Sequence, residues 1–475
     1  MPHAPIQVAL VSLGCPKNLV DSEKILAQLA EGGCVVGAPM DDADVIVVNT
    51  CGFIEPAIEE SLGVIREAAA CKRAGRARRL VVAGCLVNRE GAALRDRVPE
   101  IDAVVGVNDR EEVLAAVFGR GPAARVSPCS GGVGSDAGRF RLTPPHTAYL
   151  RIAEGCSRRC TFCTIPAIRG PYRSKPPEQV LAEARELAAD GAVELNVIAQ
   201  DTTGYGRDLG GGATLAGLLG SLSAVDGVAW VRLMYAYPHR ITEALIDALA
   251  GCERVVPYLD IPLQHISDGV LRAMGRGITR GQTERLLGRL RERIDGLVLR
   301  TTLIVGFPGE TEAQFGELLA FVEDFRFDAL GVFPFYPEQG TPAAELPGAV
   351  PEPVARERQE AIMLAQQRIA FAANEARVGS GVRVLVDGTD AEGACVGRHY
   401  GQAPDVDSLC RLTRPASAGR FVAGRVVDWE AYDLVVEPDE PGTEDRETVT
   451  RWNSHRSACT PRSRRHGRHA EGPET

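Results

Sequence analysis

Residues 154–166 read EGCSRRCTFCTIP, with Cys156, Cys160 and Cys163 inside eight positions and no further cysteine or histidine close behind. The apolar run AYLRIA (148–153) ends just before it, and further runs follow: ELNVIAQD, AWVRLMYA, PYLDIPL, VLRTTLIVG and ALGVFPF. Helix-like segments such as 177–190, 241–251 and 311–324 separate them. About six strand–helix repeats predict a complete or partial α/β barrel, whose chemistry sits at the C-terminal ends of its strands. The cysteine stretch follows the first of those strands, so it belongs to that end.

Working outward, residues 1–120 alternate the runs VALVSL, DVIVVNT, RLVVAG and DAVVGV with helix-like stretches at 21–31 and 57–72. That pattern predicts βα units on a parallel sheet. Residues 121–145 are dense in Gly, Ser and Pro and read as a linker or loose loop. The barrel-like domain occupies 146–370, and an amphipathic helix at 352–378 leads out of it. Within 371–440 the runs VRVLVDG, GRFVAGRVVD and YDLVVEP, set between Gly-rich turns, predict a small β-barrel. Residues 441–475 are polar and rich in Arg and His, with little to bury, and read as disordered. The fold class is therefore α/β, with a small all-β domain at the end.

Composition narrows the function. The chain has 475 residues, of which 45% are hydrophobic and 24% charged, and a net charge of −10. Such a chain folds into several cores, and its charge argues against a generic binder of nucleic acid or anionic membrane. No apolar run reaches the ~18 residues of a membrane helix. The start, IQVALVSLGC, ends in a cysteine as a lipoprotein signal does, but it lacks a Lys/Arg segment and reads as a buried strand. A soluble, cytoplasmic protein is expected, in which thirteen cysteines serve as ligands, redox groups or core residues and not as disulfides.

Three thiolates on one loop can hold three irons of a four-iron cubane and leave the fourth iron open to a ligand. The competing readings are a zinc site, which wants a fourth Cys or His nearby, and three buried thiols. A second triplet is spread through the first domain: Cys15, Cys51 and Cys85 each end an apolar run, 36 and 34 residues apart. The C-terminal strand ends of a parallel sheet share one edge, where open α/β folds bind ligands, so the three are expected to converge. Gly14, Gly52 and Gly84 adjoin them and permit close approach. Singly, each such cysteine is also a small core hydrophobe. The other seven show no shared geometry.

The spacing C-x3-C-x2-C after a first barrel strand resembles the radical S-adenosylmethionine (SAM) superfamily. The likeness implies that the amino and carboxylate groups of SAM chelate the open iron, and that an electron from the cluster releases a 5′-deoxyadenosyl radical. The order of domains resembles the methylthiotransferase family over about residues 6–437, whose terminal barrel is the TRAM domain. That resemblance implies two [4Fe–4S] clusters, on Cys15, Cys51 and Cys85 and on Cys156, Cys160 and Cys163, with SAM giving both radical and methyl group.

The stretches GCPKNLVDSE (14–23), IPAIRGPYRSKP (165–176), IAQDTTGYGRDL (198–209), YAYPHRIT (235–242), PYLDIPLQHISD (257–268) and FYPEQGT (335–341) are similar to the RimO-type branch, which modifies an aspartate β-carbon of ribosomal protein S-twelve. The alternative is the MiaB-type branch, which acts on tRNA adenosine. A third reading, of another class, is a zinc-holding RNA-binding module. The family resemblance implies an electron donor such as flavodoxin or ferredoxin, a sulfur donor, no membrane and a monomer. Gln200, Gln264 and Arg300 are expected to contact SAM as polar groups at strand ends, with Ile304 and Val305 flanking its adenine. No other catalytic side chain is expected. His265 reads as a core histidine. Residues 372–440 carry twelve Asp/Glu against seven Arg and no Lys, which favours a basic protein over RNA as partner.

Overall fold

The computed structural model describes residues 4–129 and 132–440, so the expected disordered tail at 441–475 lies outside the described residues. The first sheet has strands Gln7–Ser12 (β1), Val35–Val36 (β2), Val45–Thr50 (β3), Arg79–Gly84 (β4), Ala103–Val105 (β5) and Ala124–Arg125 (β6). Their order is β2-β1-β3-β4-β5-β6, all parallel. Side chains alternate between faces along a strand. Ile46, Val48, Leu80 and Val82 enter one core, while Val45, Val47, Val81 and Ala83 enter another. Helices cover both faces, which is why the middles of β1, β3 and β4 are continuous apolar runs.

The central domain opens with Thr147–Arg151 (β7). A two-stranded ribbon, Ala153–Glu154 (β8) and Arg173–Ser174 (β9), then brackets the cysteine loop. Glu194–Ile198 (β10), Trp230–Leu233 (β11), Val255–Asp260 (β12), Val298–Val305 (β13) and Ala329–Pro334 (β14) complete the sheet. The order β14-β13-β12-β11-β10-β7 is wholly parallel and leaves the two edge strands unpaired with each other, so the barrel is partial. Its outer side packs on helices through a large aliphatic core. On the other side, Tyr149, Trp230, Val256 and Tyr258 meet Val20 of the first domain and Leu385 and Ala403 of the last.

The long helix Glu352–Arg377 leads into a closed barrel of Gly381–Thr389 (β15), Cys395–His399 (β16), Cys410–Leu412 (β17), Phe421–Glu430 (β18) and Asp433–Pro438 (β19). It docks at the N-terminal ends of the central strands. Arg398 pairs at 2.7 Å with Glu194, the first residue of β10, and the ring of Trp230, the first residue of β11, meets Phe421 edge-on at 4.8 Å. The barrel therefore stands at the end opposite the strand C-termini.

The stretch 121–145, expected as a loose linker, is tied down at both ends. Strand β6 pairs with β5, and Asp136, only 3% exposed, receives Arg110, Arg151 and Lys175 at 3.1, 2.6 and 2.7 Å. Its partners lie in other segments, which a local reading of Gly and Pro content does not register. Among the described residues no helix is long and apolar enough to cross a membrane.

Candidate active site

Cys15, Cys51 and Cys85 follow β1, β3 and β4 at one edge of the first sheet, and Cys156, Cys160 and Cys163 follow β8. All six line a single cavity of about 360 Å³, at the C-terminal ends of both sheets. Two glycines let the first three loops close up. A Cβ on Gly14, where φ is +88°, would stand 2.9 Å from Cys51 Cβ; on Gly84, at φ +100°, it would stand 2.4 Å from Asn49 Oδ1. Only glycine takes both the backbone angle and the contact.

Asn18, buried in the first helix (Pro16–Glu31), ties these loops together by donating to the carbonyls of Leu13 and Thr50 at 3.0 and 2.7 Å. Arg169, at the end of the short helix Ile165–Arg169 that follows Cys163, crosses from the other domain. Its guanidinium donates to Asn18 Oδ1 at 2.6 Å, Asp21 Oδ2 at 3.1 Å, Glu154 Oε1 at 3.1 Å and Cys85 Sγ at 3.3 Å. One planar fork thus joins a cysteine of the first triplet to the helix behind the second. Burial pushes the Cys85 and Cys163 thiols up to about 12, with Arg169 working against this at Cys85. As free thiols both are protonated at neutral pH, so a metal must displace their protons to bind them.

The polar lining is mostly satisfied, but not entirely. Arg158 donates to Asp201 at 2.8 Å and lies over the Tyr237 ring at 3.7 Å; Arg276 covers the same ring at 4.3 Å and reaches Cys160 Sγ at 3.5 Å. Gln200 donates to Glu154 at 2.6 Å. Arg158 Nη2, Gln200 Oε1 and Arg276 Nε are buried without partners. Burial pushes the Lys17 ammonium down to about 8, with Cys15 opposing. Tyr235 and Gln264 hold positive φ of 59° and 75°, which non-glycine residues seldom keep outside functional sites.

Of the residues expected to contact SAM, Gln200 and Gln264 line the cavity, whereas Arg300, Ile304 and Val305 are not among the lining residues. Arg300, the third residue of β13, stands beside Asp260 at the end of β12 and is taken up by that carboxylate at 3.2 Å and by Asp407 of the terminal barrel at 3.3 Å. Val305 is at the right end but alternation turns it into the outer core, and Ile304 packs with Phe307 and Ala343. His265 is fully buried, and its Nδ1 accepts the Ser267 N–H at 3.0 Å. Lys17, Arg158, Arg169, Tyr235 and Arg276 were not among the expected site residues. Lys17 and Arg158 could have been found as cations two residues after Cys15 and Cys156.

Among the described residues no three His, Cys, Asp or Glu side chains are close enough to share one metal ion. A cubane makes no such demand, because each thiolate binds a different iron. Six thiols in two sets, the glycine cradle and unpartnered donors and an acceptor fit two iron–sulfur clusters and a polar cofactor.

Three family models match: the radical SAM superfamily over residues 150–322, Uncharacterized protein family UPF0004 over 7–106 and the TRAM domain over 378–438. The chain is 49% identical over 433 residues to ribosomal protein uS12 methylthiotransferase RimO of Anaeromyxobacter sp. (strain K), covering 90% of this chain and 92% of the relative. It is 46% identical to the protein of that name in Geobacter sulfurreducens, over 92% of this chain and 99% of the relative. Among solved structures, the radical SAM methyltransferase TsrM of Kitasatospora setae matches with a TM-score of 0.52 at 17% identity, over 81% of this chain and 79% of that one, a likeness of fold.

Proposed function

The chain belongs to the family of ribosomal protein uS12 methylthiotransferases, and from that premise we propose that it adds a methylthio group to the β-carbon of an aspartate in uS12. The observation that carries the reading is the meeting of two cysteine triplets, from two domains, on one cavity. Cys156, Cys160 and Cys163 hold the cluster that binds SAM; Cys15, Cys51 and Cys85 hold the other. When bound, these groups supply one-electron cleavage of SAM, removal of a hydrogen atom from a carbon no side-chain base can deprotonate, and the sulfur and methyl that replace it.

The chain's own residues bind and shield. Phe53, Phe162, Ile165, Tyr235 and Tyr237 make much of the lining apolar and keep water from reactive species. Gln200, fixed through its amide nitrogen on Glu154, would offer a free acceptor oxygen to the cofactor, and Gln264, in the segment that follows β12, would hold it from another side. A low-potential donor such as flavodoxin or ferredoxin supplies electrons, a separate donor supplies sulfur, and the protein works as a cytoplasmic monomer. The test is anaerobic incubation of the iron- and sulfide-reconstituted protein with SAM, reductant and either uS12 or tRNA. Mass spectrometry should find methylthiolated aspartate in uS12; methylthiolated adenosine in the tRNA arm with unmodified uS12 overturns the reading.

A further inference from the structure

Lys17 is the second residue of the first helix, two positions after Cys15. It is 6% exposed, it lines the cavity, and its Nζ stands 2.9 Å from the centroid of the Tyr235 ring. Among the described residues no hydrogen bond or ion pair reaches that ammonium. The other cations of the lining are met: Arg158 by Asp201, Arg169 by Asp21 and Glu154, and Arg276 by the Pro262 carbonyl and Cys160. Asp201 is the one carboxylate lining the cavity, and Arg158 has taken it.

The placement of Lys17 is costly on three counts. It is buried, it sits at the positive end of a helix with no acidic residue in its first turn, and Arg169 lines the same cavity. Tyr235 is also held at strain, with φ of 59°, to bring its ring under the ammonium from the other domain, and its backbone N–H is fixed on Asp260 at 3.1 Å. The Tyr235 ring and the fields of Cys15, Asp260 and Glu154 offset part of that cost, yet no carboxylate is bonded to the ammonium, and a buried cation left facing a cavity in this way marks a site completed by a ligand. That ligand is an anion.

We infer that Lys17, backed by the Tyr235 ring, binds the side-chain carboxylate of the substrate aspartate and so selects it, an inference that rests on the proposed activity. The geometry of the reaction demands this location. The β-carbon must meet sulfur held at the Cys15, Cys51 and Cys85 site, and the carboxylate carbon is one bond, about 1.5 Å, from the β-carbon. A cation two residues from Cys15 is where that carboxylate arrives. An adenosine offers no such group.

The test compares uS12 with its Asp→Asn form, which differ in charge but hardly in shape, on reconstituted full-length enzyme. In the wild type kcat/KM should favour the Asp form by about tenfold or more, and fluorescence anisotropy should show the same preference in binding. Lys17→Met should bring both ratios to within about twofold, while Lys17→Arg, which restores the charge, should recover much of the preference. Iron content at the wild-type level certifies that each variant has folded. An active Lys17→Met enzyme that keeps the full preference overturns the inference. So does a preserved preference accompanied by weaker SAM binding, which makes Lys17 a cofactor residue, or by a shifted potential of the first cluster, which makes it a counter-ion. A wild type that leaves uS12 unmodified refutes the activity itself, a separate result.

Discussion

Cys85 shows how much rests on single side chains. It is buried, it follows strand β4 directly, and a guanidinium from another domain reaches its sulfur at 3.3 Å. Its counterpart Cys163 is raised as strongly by burial but lies on the other triplet. Two separate sets of three thiolates make two separable clusters. Replacing Cys156, Cys160 and Cys163 together by Ala should remove about half the bound iron and end deoxyadenosine formation. Replacing Cys15, Cys51 and Cys85 should also remove about half the iron, yet SAM should still be cleaved while sulfur is no longer inserted. Iron analysis and chromatography of the nucleoside read both outcomes, and complete loss of iron from either variant refutes two independent sites.

At the scale of elements, the helix Ile165–Arg169 is only five residues long, and its work is to deliver Arg169. A lysine there has one charged nitrogen and cannot serve Asn18, Asp21, Glu154 and Cys85 at once. Arg169→Lys should therefore loosen the contact between the two triplets and let the radical be spent without sulfur transfer. The ratio of deoxyadenosine to methylthiolated product should rise by about tenfold, and an unchanged ratio argues that Arg169 is only structural. Strands and cysteines were legible because Cys15, Cys51 and Cys85 each end a Val/Ile-rich run, so periodicity alone placed them on one edge. Arg169 and Asp136 were not, since their partners come from distant segments that only the folded chain brings together. Arg300 falls outside the cavity lining because Asp260 of the neighbouring strand and Asp407 of the terminal barrel engage its guanidinium, partners that a local reading of the strand does not supply.

For the whole molecule, the question is what the acidic terminal barrel does from the far end of the central domain. Part of its charge is internal: Asp387 pairs with Arg398, Asp390 and Asp433 with Arg411, and Asp407 with Arg300. Glu392, Asp428 and Glu430 remain exposed. The barrel packs against the N-terminal ends of β10 and β11, whereas the cavity opens at the strand C-termini, so these acids are remote from the reacting carbon. Their effect on a basic ribosomal protein is long-range attraction, which raises the association rate and fades as salt shortens the Debye length to about 8 Å near physiological ionic strength. In a chain ending at residue 440, which removes the Arg-rich tail, Glu392→Gln, Asp428→Asn and Glu430→Gln together should lower kcat/KM for uS12 severalfold at low salt. They should leave kcat at its wild-type value, and raising the salt should erase the difference. Stopped-flow association measured across ionic strengths tests this directly. A fall in kcat, or a loss of kcat/KM that persists at high salt, would show instead that the barrel holds the substrate in the reacting complex.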